Sequence, residues 1–319
     1  MTKSLKVAVV GATGTTGSAI IAGLLNSGET EFTVTALARP LSVDKPAYEA
    51  LKRRGVTVVP IDIKGPKDDL VKVLSGVDVV VSAIVFTELD AEIPLADAAK
   101  AAGVKRFLQS ALMCVIPPKG VVDFREQKED ILNHIQKICL PYTYLDAGWW
   151  YDIAIPQPPS QSGETPSATF LQGKLGADGN VPVAVAEITD IGRYVAKVIA
   201  DPRTLNKRVF VYNETYTQNQ LYDLVEKLTG TKIPRSYVSK EQVERLIDEA
   251  RVAIASNPSS FEALGSLVLN QLFYSVTIRG DNTPDNAKYL GYLDGKELYP
   301  DFKFTAVEDY IKARFHTSS

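Results

Sequence analysis

The chain is poor in the residues that build metal and redox sites. Its 319 residues include two cysteines, Cys114 and Cys139, and two histidines, His134 and His316. Neither cysteine belongs to a CxxC pair or a Cys/His cluster, which argues against a zinc framework or a disulfide scaffold. Two histidines are too few for most His-based metal or triad sites. No metal is expected, and a reducing, cytoplasmic setting fits best. Long hydrophobic runs are also missing. The apolar stretches are strand-sized, well short of the roughly 20 residues a spanning helix needs. Met1 to Ser4 leads into the first strand without a signal-peptide apolar region. Nor is there an excess of positive charge. Lys and Arg number 35 against 38 Asp and Glu, a net charge of −3, so no basic footprint favours nucleic acid. No internal repeat or low-complexity segment is evident. What remains is ordinary globular composition, 45% hydrophobic and 23% charged, in a length suited to one large or two joined domains.

The strongest positive signal lies at the start. Leu5 to Val10 is a β-rich run, and Gly11-Ala12-Thr13-Gly14-Thr15-Thr16-Gly17 follows at once. Helical spacing then begins at Ser18 and continues to Leu25. Strand, glycine turn and helix in that order suit a dinucleotide pyrophosphate. Glycine lets the backbone turn sharply and approach the phosphates, and the helix N-terminus offers unpaired N–H groups and a positive dipole end. Glycine triplets alone are weak evidence; the flanking strand and helix give the motif its context.

Alternation continues through the first half. Strands are predicted over Phe32–Ala38, Val56–Asp62, Val77–Ala83, Val104–Ser110 and Tyr142–Asp146. Helices are predicted over Tyr48–Arg54, Lys67–Ser75, Ile93–Ala102 and Arg125–Lys137. This pattern gives an α/β fold, a doubly wound parallel sheet with right-handed crossovers and ligands outside the carboxyl ends of the strands. The character changes at Gly148-Trp149-Trp150. Residues 155–167 read as a loop or lid, rich in Pro, Ser, Gln and Gly. Glu187 to Ala196 reads as a turn and a helix returning to the nucleotide domain. Further helices are predicted over Thr217–Thr229 and Lys240–Ala255, and the apolar stretch Phe261–Ile278 is expected to cover the cleft.

An NAD site usually places an acid after the second strand, to accept from the ribose hydroxyls. Here that place holds Arg39, in Leu37-Ala38-Arg39-Pro40. A guanidinium can clamp a 2′-phosphate that a carboxylate would repel, so NADPH is favoured over NADH. A solvated surface arginine is the competing reading. Ser42 and Lys45 have weaker claims, and Asp62 either approaches the adenine or caps the next turn.

These segments resemble the isoflavone-reductase-like branch of the atypical short-chain dehydrogenases, the NmrA-like family. The resemblance spans nearly the whole chain. It rests on the glycine turn, Leu37-Ala38-Arg39, Ala102-Gly103-Val104-Lys105-Arg106-Phe107 and Phe124-Arg125-Glu126-Gln127-Lys128. Asp190-Ile191-Gly192, Asn206-Lys207 and Glu297-Leu298-Tyr299-Pro300 continue it. The Gly148-Trp149-Trp150 segment looks most like fungal members of secondary metabolism. The resemblance implies a Rossmann-type NADP-binding domain, residues 1–152 plus roughly 186–213, and a smaller α+β substrate domain, residues 153–185 plus 214–319. It implies NADP(H) as cofactor and an aromatic or phenylpropanoid-like small molecule as substrate. One departure stands out. Plant members carry an acid, an aromatic and glycine just past the serine after the fifth strand. This chain has the apolar run Ala111 to Pro118 there, which suggests an altered substrate or altered chemistry.

Short-chain dehydrogenases commonly use Tyr-x-x-x-Lys, but Phe124 stands four residues before Lys128. The resemblance implies that Lys128 itself is catalytic, polarising a carbonyl or quinone-methide oxygen and donating a proton as hydride arrives. Read from charge patterning alone, Arg125, Glu126, Lys128, Glu129 and Asp130 form a solvated helix face with i,i+3 and i,i+4 pairs. The glycine motif and topology make Gly11, Thr13, Gly14, Thr15, Thr16, Gly17, Arg39, Ser82, Ala83, Ile84 and Ser110 the expected cofactor neighbours, and the resemblance adds Lys128. Phe86, Met113, Trp149, Trp150 and Tyr151 are the expected substrate wall; the competing reading is core packing. His134 reads as a helix surface or core residue. The expectation is therefore an NADPH-dependent reductase of a small aromatic or polyketide-like metabolite, a monomer or homodimer. Two alternatives stay open: an NADP(H)-sensing regulatory protein without turnover, and a non-redox isomerase, cyclase or dehydratase on the same scaffold.

Overall fold

The computed structural model describes residues 4–158 and 173–315. The part of the expected loop from 159 to 167, and His316, lie outside the described residues. The first half runs β1 (Ser4–Val10), α1 (Thr15–Leu25), β2 (Glu31–Ala38), α2 (Pro46–Arg53), β3 (Thr57–Pro60), α3 (Lys67–Leu74) and β4 (Val79–Ser82). It continues with α4 (Glu92–Ala101), β5 (Arg106–Leu108), α5 (Asp123–Lys137), β6 (Tyr142–Ala147), β7 (Trp149–Trp150) and α6 (Tyr151–Ala154). After the gap come β8 (Lys174–Gly176), β9 (Pro182–Ala186), α7 (Ile188–Ala200), β10 (Lys207–Val211), β11 (Glu214–Thr217), α8 (Gln218–Thr229) and β12 (Ser236–Val238). The chain ends with α9 (Lys240–Ser256), α10 (Phe261–Phe273), α11 (Pro284–Tyr289), β13 (Leu293–Asp294), α12 (Gly295–Leu298) and α13 (Val307–Phe315).

Eight strands form one parallel sheet in the order β13-β10-β6-β5-β4-β1-β2-β3. The central strands are apolar because helices cover both faces; Val79 to Ser82 are buried throughout. Strand order reverses between β1 and β4, which are paired Val7 to Val79 through Val10 to Ser82. The loops after these two strands diverge there and leave a crevice at their carboxyl ends, where doubly wound sheets bind ligands.

Helix α7 returns to the sheet and lies directly on α1. A Cβ on Gly192 would stand 2.0 Å from the Ala19 carbonyl, and one on Gly23 would stand 2.2 Å from the Gly192 carbonyl. Two facing glycines therefore allow a backbone contact that any side chain would block. This contact fixes the base of the helix that follows the glycine turn. Glu187 caps α7, its side chain accepting from the Thr189 and Asp190 amides.

The second half folds into smaller sheets, β11-β9-β7 and β12-β8, around a core of its own. Trp149, Leu175, Val183, Leu221, Val243, Leu267 and Val276 are among its buried members. β7 pairs with β9, so the Trp149-Trp150 dipeptide is a strand joining the large sheet to the smaller unit. β10 and β13 carry later parts of the chain back to the edge of the large sheet, β13 from a segment expected in the smaller unit. Among the described residues no helix is long and apolar enough to cross a membrane.

Candidate active site

The chain leaves β1 through Gly11, whose φ of +75° lies in the left-handed region. A Cβ at this position would stand 2.3 Å from the Ala83 carbonyl, so only glycine lets β1 and the loop after β4 meet here. The Gly14 amide then donates to the Gly11 carbonyl at 3.0 Å, closing the turn. A Cβ on Gly17 would stand 2.0 Å from the same carbonyl, so Gly17 serves close packing of α1 against the turn. The helix begins at Thr15, three residues earlier than its apolar spacing suggests. Its N-cap, Gly14, makes no side-chain cap, and its first turn holds no acid. The amides of that turn are thus available to an anion, with the dipole aligned to favour it.

Two adjoining cavities occupy the crevice and share Gly14, Ala83, Ile84 and Val85. One, of about 380 Å³, extends over β2 and is lined by Gly11, Thr13, Arg39, Asp62 and Lys64. Arg39 is exposed there, at the end of β2. Asp62 accepts from the Lys64 amide at 2.9 Å, so it caps the turn while facing the cavity. Ser42 and Lys45 do not line it.

The other cavity, of about 390 Å³, lies over β4, β5 and β6. Thr15 and Thr16 form its edge towards the glycine turn. Phe86, Met113, Phe124, Trp149, Trp150 and Leu272 make much of its wall apolar. Phe86 packs against Phe124 with ring centroids 6.3 Å apart, and against Phe261 at 6.5 Å. Of the stretch 261–278, Leu272 reaches the wall, whereas Phe261 is 70% exposed at its rim. Cys114 also faces this space, but burial pushes its thiol up, so it stays protonated and is no nucleophile.

Lys128 is the cation in this wall. It is buried at 4% exposure, on the side of α5 that faces the cavity. Its Nζ donates to the Ser110 carbonyl and, at 3.1 Å, to the Ala111 carbonyl. The loop bends sharply just beyond, where Leu112 takes a left-handed φ of +48°. That conformation costs roughly 1 kcal/mol or more for a residue with a Cβ. The Leu112 amide donates to the Leu145 carbonyl at 2.7 Å, and the Ala147 amide to the Met113 carbonyl at 2.8 Å, which hold the bend in place. The bend at Ser110 and Ala111, held in this way, presents two carbonyls to the lysine. Gln109 ties the same helix to β5, donating to the Lys128 carbonyl at 2.7 Å. Burial pulls the Lys128 ammonium down to about 8, against the opposing fields of Glu92 and Asp146.

The charged run on α5 is not a solvated face. Arg125 and Lys128 both turn inward, whereas Asp130 stays exposed. Buried acids on other elements explain this. Arg125 bonds Asp146 at 2.7 Å and the Tyr292 hydroxyl at 2.8 Å, and pairs with Glu129 at 2.8 Å. Arg208 donates to the same Glu129 oxygen at 2.8 Å and to the other at 2.5 Å. Arg125→Met should lower the unfolding free energy by about 3 kcal/mol, because it strands Asp146 in the interior. Urea denaturation reads this directly, and an unchanged midpoint would show that the pair does not stabilise the fold.

Several expected site residues lie elsewhere. Ser82 is fully buried at the end of β4, beside the Glu92 carboxyl and behind the cavity wall. Ser110 lines the cavity, but its hydroxyl already donates to the Ile84 carbonyl at 2.8 Å. Tyr151 is the clear correction to the expected substrate wall. Its hydroxyl donates to the Thr305 carbonyl at 2.9 Å and its ring meets Tyr310 edge-on, so it packs α6 against the C-terminal segment. β7 ends at Trp150, and α6, which begins at Tyr151, turns that ring away from the cavity. His134 is half-buried and bonds Asp97 at 2.8 Å on the far side of α5. Leu112, Cys114 and Phe124 line the cavity without having been singled out for it, whereas Leu272 belongs to the stretch expected to cover the cleft. Only the identity of the segment after β5 could have pointed to the first two.

The glycine cradle, the uncapped helix end and the two-part crevice fit an NADP(H) molecule laid across β1 and β4. Comparison with known proteins agrees with this architecture. The NmrA-like family profile matches residues 3–311. Asnovolin J 5′,6′-dehydrogenase of Aspergillus novofumigatus is 51% identical, over 98% of this chain and 96% of that protein. The crystal structure of an isoflavone reductase superposes with a TM-score of 0.80 at 26% identity, covering 98% of this chain and 99% of the other. AtPrR2, solved with NADP+ and (+)pinoresinol, gives 0.78 at 28% identity, with the same coverage. This chain belongs to the NmrA-like family, on its isoflavone-reductase-like side.

Proposed function

We propose that the protein is an NADP(H)-dependent oxidoreductase acting on a neutral, largely apolar small molecule, with Lys128 as the proton-handling residue. The observation that carries this reading is the ammonium of Lys128, buried in the apolar wall of the cavity next to the glycine turn. Bound NADPH supplies the hydride. The amides of Thr15 and Thr16, in the first turn of α1, would hold the pyrophosphate, and Arg39 would take the 2′-phosphate. Ala83 and Ile84 follow the ligand between the two cavities. Phe86, Met113, Trp149 and Trp150 grip a flat or polycyclic substrate and exclude water from it. Lys128 bonds the substrate oxygen conjugated to the reacting carbon. It stabilises the negative charge that grows there and then delivers a proton.

The pH dependence tests this role. Reduction needs the protonated amine, so its rate is high below about 8 and falls as pH rises through that value. Single-turnover oxidation of NADPH with neutral aromatic and polycyclic enones, followed from pH 6 to 10, reads it. A rate that stays flat to pH 10 would refute Lys128 as the acid.

The 51% identical relative favours a second reading, the same site run as a desaturase. Lys128 then accepts the proton as a free amine, and the rate of NADP+ reduction rises through about 8. Opposite pH limbs separate the two directions. NADPH binding without turnover of any substrate would favour a sensor.

A further inference from the structure

Glu92 is a buried carboxylate next to the site that the proposed chemistry has not used. It is fully buried and is the first residue of α4. Its Oε1 accepts from the Ser110 amide at 2.7 Å. The carbonyl of that same residue accepts from Lys128 Nζ. The backbone of Ser110 therefore ties a carboxylate on one side to an ammonium on the other. The groups whose fields reach Lys128 are Glu92 from α4, Asp146 from β6 and Arg125 on its own helix. Asp146 is already bonded by Arg125 and by the Tyr292 hydroxyl at 2.6 Å. The charge facing Glu92 is that of Lys128 itself. Burial raises the Glu92 carboxyl and lowers the Lys128 ammonium, and the charge of each opposes the shift of the other. The Ser110 amide donates to the carboxylate, and two carbonyls accept from the ammonium.

We propose that Glu92 is a positioning residue for the reaction: from behind the Ser110 backbone its carboxylate keeps Lys128 charged and seated against the cavity. Burial lowers this lysine, and the charge of Glu92 opposes that loss of the proton. The inference rests on Lys128 being the proton-handling group, and its test separates the two.

The test labels the cofactor-free, full-length protein with acetic anhydride across pH 6 to 11 and follows acetylation of Lys128 by peptide mass spectrometry. The wild-type midpoint is expected near 8. Glu92→Gln keeps an acceptor for the Ser110 amide but removes the charge, and should lower the midpoint by about one unit. Glu92→Asp keeps the charge and should stay within about 0.3 unit of wild type. A midpoint unmoved in Glu92→Gln overturns the proposal. If Glu92→Gln does not fold, adding Lys128→Met should restore the fold by removing the stranded cation; failure to do so also overturns it. In turnover, Glu92→Gln should be about eightfold slower at pH 8.5 and nearly normal at pH 6, as a one-unit drop requires. An equal loss at every pH marks a merely structural role and contradicts the proposal. A shifted labelling midpoint with an unshifted rate profile would instead sink Lys128 as the acid.

Discussion

Lys128→Ala is expected to lower turnover by about 10²–10⁴-fold, the range for loss of a positioned general acid. NADPH affinity should change by less than about threefold, because the binding groups of the glycine turn and Arg39 are untouched. The split follows from position. Lys128 lies in the apolar cavity beyond the turn, where the proposed chemistry puts the reacting oxygen rather than the phosphates. Its ammonium has no rival there, since Phe124 stands where a catalytic tyrosine would be, its ring centroid 5.8 Å from Nζ. Substitution by arginine should not rescue the rate, because a guanidinium cannot give up a proton near neutral pH. Steady-state kinetics with a parallel NADPH titration check both halves. Unchanged turnover would remove the lysine from the mechanism and leave only the architecture.

Arg39→Glu is expected to weaken NADPH binding by about 10–100-fold, the worth of a charge-assisted contact, and more where the new carboxylate repels the phosphate. NADH binding should change by less than about threefold, or improve, because a carboxylate can accept from the ribose hydroxyls. Arg39 faces the cavity over β2 from an exposed position, so the substitution leaves the core intact. Titration of both reduced cofactors against wild type and variant reads the effect. Equal losses for the two would show that Arg39 does not select the extra phosphate.

The amino-terminal half was legible because each of its elements carries a local signal. Strand β1 is a continuous apolar run, the turn after it holds glycines whose absent Cβ atoms are needed, and the helices end at Gly55, Gly76 and Gly103. The later strands carry little such signal. β8, β12 and β13 are two or three residues long, and pairing with distant partners defines them. The start of α1 was misplaced because Thr15 and Thr16 are not apolar, although their backbone is helical.

The candidate site was legible at its glycine turn and hidden around Lys128. Charge patterning puts Arg125 and Lys128 in water, a sound rule for isolated helices. What reverses it is the presence of Glu92, Asp146 and Tyr292, which reach these residues from α4, β6 and the segment before β13. No spacing within α5 reveals partners that lie 21 and 167 positions away along the chain. Resemblance to a family supplied Lys128, and the tertiary fold supplies the reason for its burial. Glu92 had no local mark at all, since an acid in the first turn of a helix ordinarily serves only the helix dipole. Trp149 and Trp150 were read together with Tyr151, but the strand ends between them and the tyrosine turns into the core.

The measurement that bears most directly on the account is an equilibrium titration with NADPH, followed by quenching of tryptophan emission. The chain's two tryptophans, Trp149 and Trp150, both line the cavity that holds Lys128. Saturable quenching with one site per chain, retained in Lys128→Ala and weakened in Arg39→Glu, is the predicted result. An absence of saturable binding by either NADPH or NADP+ would contradict it.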